Sequence, residues 1–378
     1  MINRHAKTLL LVAHLLLLAP GATPAASPPG RIVGYATGWD PAQDQDAGKI
    51  STLIFAFAKV MDGRVAVDAA GKEHLRRLTA LKATHLELKV TISVGGWGAG
   101  GFSEAAGDDA GRRAFADSAA QLVTAFNADG LDVDWEYPQH GESGIRSSPR
   151  DRGNFTLLLK AVRAGLDATG AAHGRTGADH YTLSIAAADG PFVNGIDIAA
   201  VAPYVDWFNL MTYDFVNSQT PATGHHTGLR ASKLTPTGER TTERAVLQFL
   251  DAGVPPGKLL IGAAFYGREF ADVHPHHRGL YQHYGHYQGE VPWPRLKTDY
   301  LNKNGYVRYW DAAAQAPWLW NARTRRFVSY DDPRSIAAKA RYVKTWHLGG
   351  IMYWEQNLDP SGELLDAAWR GIKQETAP

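Results

Sequence analysis

The sequence predicts an α/β protein: a closed (β/α)8 TIM barrel with a small α+β insertion between strand 7 and helix 7. Three observations carry this. Short β-branched and aromatic runs alternate with segments whose apolar residues recur three or four apart, which is the rhythm of parallel-sheet proteins. Eight such runs are present, the number that closes a barrel. After the seventh strand the rhythm breaks, from about Arg268 to Tyr330, where Gly, Pro, His and aromatic residues replace helical periodicity. A doubly wound open sheet is the alternative, but no glycine-rich dinucleotide loop accompanies it.

The predicted strands are Arg31–Ala36, Thr52–Ala58, Lys89–Val94, Gly130–Trp135, Tyr181–Ala187, Trp207–Met211, Leu259–Ala264 and Gly350–Trp354. The predicted helices are Gly71–Ala83, Asp109–Asn127, Asn154–Ala168, Glu239–Ala252, Pro333–His347 and Ser361–Ile372. Residues 27–267 and 331–378 form the barrel in this reading and 268–330 the insertion. Loops after barrel strands lie on the active-site face, so an insertion there should build one wall of a cleft.

Ahead of the barrel, Arg4 and Lys7 precede an apolar run from Leu9 to Ala19, followed by small residues through Ala26. This reads as an export signal over residues 1–26, removed to leave a secreted or periplasmic protein. No later stretch reaches the roughly 18 apolar residues of a membrane span, so no membrane association is expected after removal. There are no cysteines, so the core has to hold the fold without disulfides. Formal charge is +1 and no basic run resembles a nucleic-acid footprint, which points to a neutral substrate and no nucleic-acid partner. A monomer is expected. Eleven Trp and 15 Tyr suit both ordinary packing and stacking on sugar faces.

The chemistry concentrates in Asp129-Gly130-Leu131-Asp132-Val133-Asp134-Trp135-Glu136-Tyr137-Pro138. In a strand, Asp132, Asp134 and Glu136 share one face, backed by Leu131, Val133 and Trp135 on the other. Carboxylates roughly 6.5 to 7 Å apart along a strand in a low dielectric cannot all ionise at their free pKa values, so at least one holds its proton near neutrality. That is what a proton donor at physiological pH needs. Pairing with buried basic residues is the structural alternative, but none occurs in the stretch. A divalent-metal site would need ligands from other strands. Asp129, before the regular strand, is expected to make a structural hydrogen bond.

This stretch resembles the Asp-x-x-Asp-x-Asp-x-Glu signature of glycoside hydrolase family 18, the chitinases. Ser93-Val94-Gly95-Gly96-Trp97, Met211-Thr212-Tyr213-Asp214, Phe265-Tyr266-Gly267-Arg268 and Ile351-Met352-Tyr353-Trp354 resemble that family's motifs at the ends of its third, sixth, seventh and eighth strands. The insertion resembles the chitinase insertion domain of bacterial-type members, with Tyr309-Trp310-Asp311 and Ser329-Tyr330-Asp331-Asp332 in family-like positions. Glu269, where many members have a second glycine, and Ala263-Ala264, in place of the usual Pro before Phe265, are departures that bear on the cleft wall.

The resemblance implies a chitinase that uses no cofactor and takes chitin or chitooligosaccharides as substrate; endo action is expected of it, with the choice between endo and exo set by loop closure and aromatic placement that the sequence does not give. It is substrate-assisted, an exception to the two-carboxylate scheme. Glu136 is the implied acid/base, Asp134 and Asp132 its supporting acids, and Tyr213 the donor to the substrate acetamide. Substrate contacts are implied for Trp354, Trp97, Asp214, Met211, Tyr35, Phe57, Arg268 and Tyr137. Endo-β-N-acetylglucosaminidase action on other glycans and a non-hydrolytic chitin-binding lectin are the rivals; retention of Glu136 speaks against the lectin. His274, His276, His277, His283 and His286 in the insertion raise a metal site, but the Zn-type spacing is missing and no metal is assigned.

Overall fold

The computed structural model describes residues 30–236 and 238–374. The expected export segment, residues 1–26, lies outside the described residues. Eight parallel strands form a closed barrel in chain order: Arg31–Ala36, Thr52–Met61, Lys89–Gly95, Gly130–Asp134, Thr182–Ala187, Trp207–Leu210, Leu259–Ala264 and Gly350–Trp354. The first strand pairs with both the second and the eighth, which closes the ring. The second strand runs on past Ala58 to Met61, beyond the predicted end, because it turns back in a hairpin with Arg64–Ala66.

Around the barrel lie Ala69–Ala80, Asp109–Ala125, Asp151–Ala172, Thr242–Asp251, Pro333–Thr345 and Glu363–Lys373. Each buries one apolar stripe, as in Asp109–Ala125, where Phe115, Ala119 and Val123 face the barrel. Side-chain oxygens begin most of them: Asp108 accepts from Gly111 N, and Asp332 forms a capping box with Ser335 just before Pro333. Among the described residues no helix is long and apolar enough to cross a membrane.

Beyond the seventh strand the chain builds a second, antiparallel sheet. Its spatial order is His286–Pro292, Tyr266–Ala271, Arg326–Tyr330, Ala316–Asn321 and Val307–Asp311. It has its own core of Phe270, Val273, Leu280, Trp318, Trp320 and Phe327. The returning chain is fastened to the barrel by a buried ion pair: Asp331 Oδ2 accepts from Lys339 Nζ at 2.6 Å and from Ala264 N at 3.0 Å. The remaining carbonyl and hydroxyl contacts of Lys339 satisfy its ammonium, which burying such a pair requires.

Candidate active site

Barrel register sets the base of the site. Ser93 of the third strand, Asp132 of the fourth and Ser184 of the fifth are level neighbours, so all three point inward at one height. Asp132 is fully buried. Its Oδ2 accepts from the Tyr35 hydroxyl at 2.9 Å and Ser93 Oγ at 2.7 Å, its Oδ1 from Ser184 Oγ at 2.6 Å and Asn209 Nδ2 at 3.1 Å. Burial raises its pKa, and these four neutral donors oppose the rise.

Regular pairing of the fourth strand ends at Asp134, one residue short of the predicted Trp135. Trp135 instead stacks outward on Phe102, with centroids 5.3 Å apart and planes at 12°. That anchoring leaves Glu136 just past the strand end, at the mouth of the barrel. Asp134, one pleat below, is buried with Oδ1 lacking any hydrogen-bond partner among the described residues. Burial, then the charges of Glu136 and Asp132, push its carboxyl well above the usual range. Burial likewise raises Glu136 to about 7; the Tyr137 hydroxyl opposes this and the charge of Asp214 adds to it. One acid in this column therefore holds its proton near neutral pH, the condition a proton donor needs.

Two glycines let the third strand end against this column. A Cβ on Gly95, whose φ is +126°, would sit 1.9 Å from the Asp134 carbonyl oxygen, and one on Gly96, at φ +92°, would meet the Phe57 ring. The Gly96 N–H donates to that same Asp134 oxygen at 3.0 Å.

The acids open into a cleft of about 590 Å³. Every residue to which the family resemblance gives a catalytic or substrate-contact role lines it except Asp132, which lies beneath. Trp354 stacks on Phe57 at 5.7 Å and 19°, and Tyr35 tilts against both, giving an aromatic floor. Tyr213, on the exit from the sixth strand with Met211, is buried and contacts Met352 Sδ at 3.7 Å. Trp97 is 57% exposed at the rim, edge-on to Tyr137. Burial and the neighbouring Glu136 charge hold the Tyr137 phenol far above its usual pKa, so it stays a neutral donor.

Asp214 belongs to a separate cluster. Its Oδ1 accepts from Arg268 Nε at 2.7 Å and from the Tyr266 hydroxyl at 3.0 Å, and its Oδ2 from Arg268 Nη2. Burial would raise its pKa, but His226 and the Arg268 guanidinium more than offset it and hold the carboxyl well below the usual range. Asp214 is thus an anion throughout, fixed beside Glu136. Arg268 also donates to the Tyr287 hydroxyl at 2.8 Å. Glu269 faces away from the cleft and accepts from Tyr300, Tyr306 and Arg326. This departure from the family pattern therefore does not shape the wall.

Asp129 pairs with Lys82 at 2.8 Å and Arg175 at 3.1 Å at the base of the barrel, away from the cleft. Sequence reasoning did not single out Phe192, Arg240 or Tyr287, which also line the cleft, nor Ser184, Asn209 and His226 behind it. Only the motif position of Ser93 hinted at the cradle. Among the described residues no group of three His, Asp or Glu side chains could hold a metal ion. In the His-rich segment, the His274 and His283 rings lie 6.4 Å apart and His286 faces Asp272.

The chain is 38% identical to Chitinase A1 of Niallia circulans over 77% of its own length and 43% of that protein, and so spans less than half of that relative. It is 30% identical to Chitinase 1 of Aphanocladium album over 97% of this chain and 93% of that protein. The solved structure of a glycoside hydrolase family 18 N-acetylglucosaminidase from Paenibacillus barengoltzii superposes with a TM-score of 0.85 at 40% identity, covering 91% of this chain and 100% of that one. The model of glycosyl hydrolases family 18 matches residues 31–359, nearly the whole described chain, and the protein belongs to that family.

Proposed function

We propose that this chain is an exported chitinase that hydrolyses β-1,4-linked N-acetylglucosamine polymers with retention of configuration. The observation that carries the reading is the pairing of Glu136, with a pKa raised to about 7, and Asp134, whose Oδ1 is unpartnered among the described residues, in a cleft floored by Trp354.

Glu136 gives its proton to the glycosidic oxygen as the bond from that oxygen to the anomeric carbon breaks. The substrate's own acetamide oxygen forms the new bond to that carbon, giving a cyclic oxazolinium-type intermediate. Intramolecular attack of this kind exploits proximity, provided the group is held in line. Asp134 Oδ1 accepts the acetamide N–H and offsets the positive charge developing there, with the charge of Asp132 below adding to it. Tyr213 donates its hydroxyl to the acetamide oxygen. A water then attacks the anomeric carbon from the face the leaving group vacated, giving one proton to the Glu136 carboxylate, as the bond from that carbon to the acetamide oxygen breaks and the neutral acetamide is restored. Two inversions leave the configuration retained. Asp214 is occupied by Arg268 and Tyr266, which speaks against its serving as a protein nucleophile.

Residues 268–330 are read as an inserted subdomain walling the cleft, supported by the second sheet and by Arg268 and Tyr287 in the lining. Residues 1–26 are read as a cleaved export signal, tested by N-terminal sequencing of the exported protein.

A second reading, N-acetylglucosaminidase action, is favoured by the solved Paenibacillus barengoltzii enzyme. The products from N-acetylglucosamine hexamer decide between the two. Early dimers and trimers support endo-acting chitinase activity; monomer from the first minutes supports the second reading; no cleavage contradicts both.

A further inference from the structure

The proposed mechanism leaves one strong donor in the cleft without a task. Arg240 follows the sixth strand and reaches across to Asp189, which lies just after the fifth and is buried. Its Nε donates to Asp189 Oδ1 at 2.9 Å, and Nη2 donates to the same oxygen. The stem crosses Gly190, where a Cβ would come within 3.4 Å of Arg240 Cδ and where φ is +61°. The guanidinium lies 5.0 Å from the Phe215 ring centroid and 6.0 Å from that of Phe192. Held by an ion pair and between rings, this planar group has one fixed orientation. Its Nη1 has no hydrogen-bond partner among the described residues, and the side chain, 23% exposed, lines the cleft.

Its neighbours give its place along the substrate. Phe192 stacks on Tyr137 at 4.9 Å and 28°, and Tyr137 follows Glu136 directly and meets Trp97 edge-on. This group is distinct from the Tyr35–Phe57–Trp354 floor beneath the sugar whose bond is broken. Tyr137, Phe192 and Arg240 thus line the cleft on the side next to Glu136 that the floor leaves open.

We propose that Arg240 is a specificity-determining binding residue for the departing sugar, donating from Nη1 to a hydroxyl or acetamide oxygen of an N-acetylglucosamine unit on the leaving-group side. The proposal rests on the hydrolytic reading above and adds to it a requirement for a sugar, rather than any good leaving group, in that position. Asp189 fixes the fork and neutralises its charge, so the interaction suits an uncharged oxygen acceptor rather than a carboxylate.

The test compares two substrates that share the same cleaved sugar. One is N-acetylglucosamine tetramer, with sugars on the leaving side; the other is 4-nitrophenyl N,N′-diacetylchitobioside, with an aryl group there. The readout is the ratio of kcat/KM for tetramer to that for the aryl glycoside, which is insensitive to the fraction of enzyme correctly folded. In Arg240→Met this ratio should fall about tenfold or more, the loss of one charge-assisted hydrogen bond. In Arg240→Lys, which keeps the charge but not the planar fork, it should fall by less. An unchanged ratio in Arg240→Met, whether or not both activities decline together, overturns the proposal. A wild-type protein that cleaves neither substrate refutes the hydrolytic reading itself, and the proposal with it.

Discussion

The Tyr35 hydroxyl donates to Asp132 Oδ2 at 2.9 Å, joining the first strand of the barrel to the fourth across its interior. With Ser93, Ser184 and Asn209 it surrounds a carboxylate that burial alone would keep protonated. Removing one donor should therefore be felt both in stability and in proton affinity. Ser184→Ala is expected to cost about 1–3 kcal/mol, the range for leaving a buried polar partner unsatisfied. Urea denaturation at neutral pH measures it; a change within error of zero contradicts the assigned cradle.

Glu136 makes stability depend on pH in a stated direction. Its folded pKa of about 7 lies above the ordinary 4.5, so the folded protein binds this proton more tightly than the unfolded chain does. Its contribution to stability is fully present below about pH 4.5 and is lost as pH rises through 7. Glu136→Gln removes that loss. The variant should melt at a higher temperature than wild type at pH 8, with the gain disappearing near pH 4. A gain of equal size at both pH values would show that this carboxyl is not raised by burial.

How far the sequence alone reached follows from where each residue sits. Strand runs such as Leu259–Ala264 and Gly350–Trp354 match their predicted bounds because buried parallel strands are continuous apolar runs. The fourth and sixth strands end one residue early, at Asp134 and Leu210, where the chain leaves the ladder to present Glu136 and Tyr213. Asp132, Asp134 and Glu136 were legible because a period of two puts them on one face. Ser184 and Asn209 were not, since only the barrel's register brings them to Asp132. Phe192 reaches the cleft from the single 3-10 turn Gly190–Gly195, Arg240 from a loop and Tyr287 from a β-hairpin with a bulge, where no periodicity marks which way a side chain turns.

Asp214 acts on Glu136 through its charge. Burial is the largest cause of the raised Glu136 pKa, and the Asp214 anion adds to it. Asp214→Asn removes that anion, which lowers the Glu136 pKa. The alkaline limb of kcat/KM should move to lower pH, with a larger loss of activity at pH 8 than at pH 5. A limb that stays in place or moves upward contradicts the assignment.

Because the proposed chemistry runs through the substrate's own acetamide, added EDTA should leave the rate of oligomer hydrolysis unchanged. A loss of rate reversed by one divalent metal would point back to the His-rich segment between Asp272 and His286.

The central claim, that the acetamide rather than a water first attacks the anomeric carbon, is tested most directly by the configuration of the new reducing end. Proton NMR of N-acetylglucosamine tetramer, recorded within the first minutes of cleavage, should show the β-anomer before mutarotation brings in the α-anomer. An α-anomer appearing first would mean a single inversion, and the roles assigned to Glu136, Asp134 and Tyr213 would be wrong.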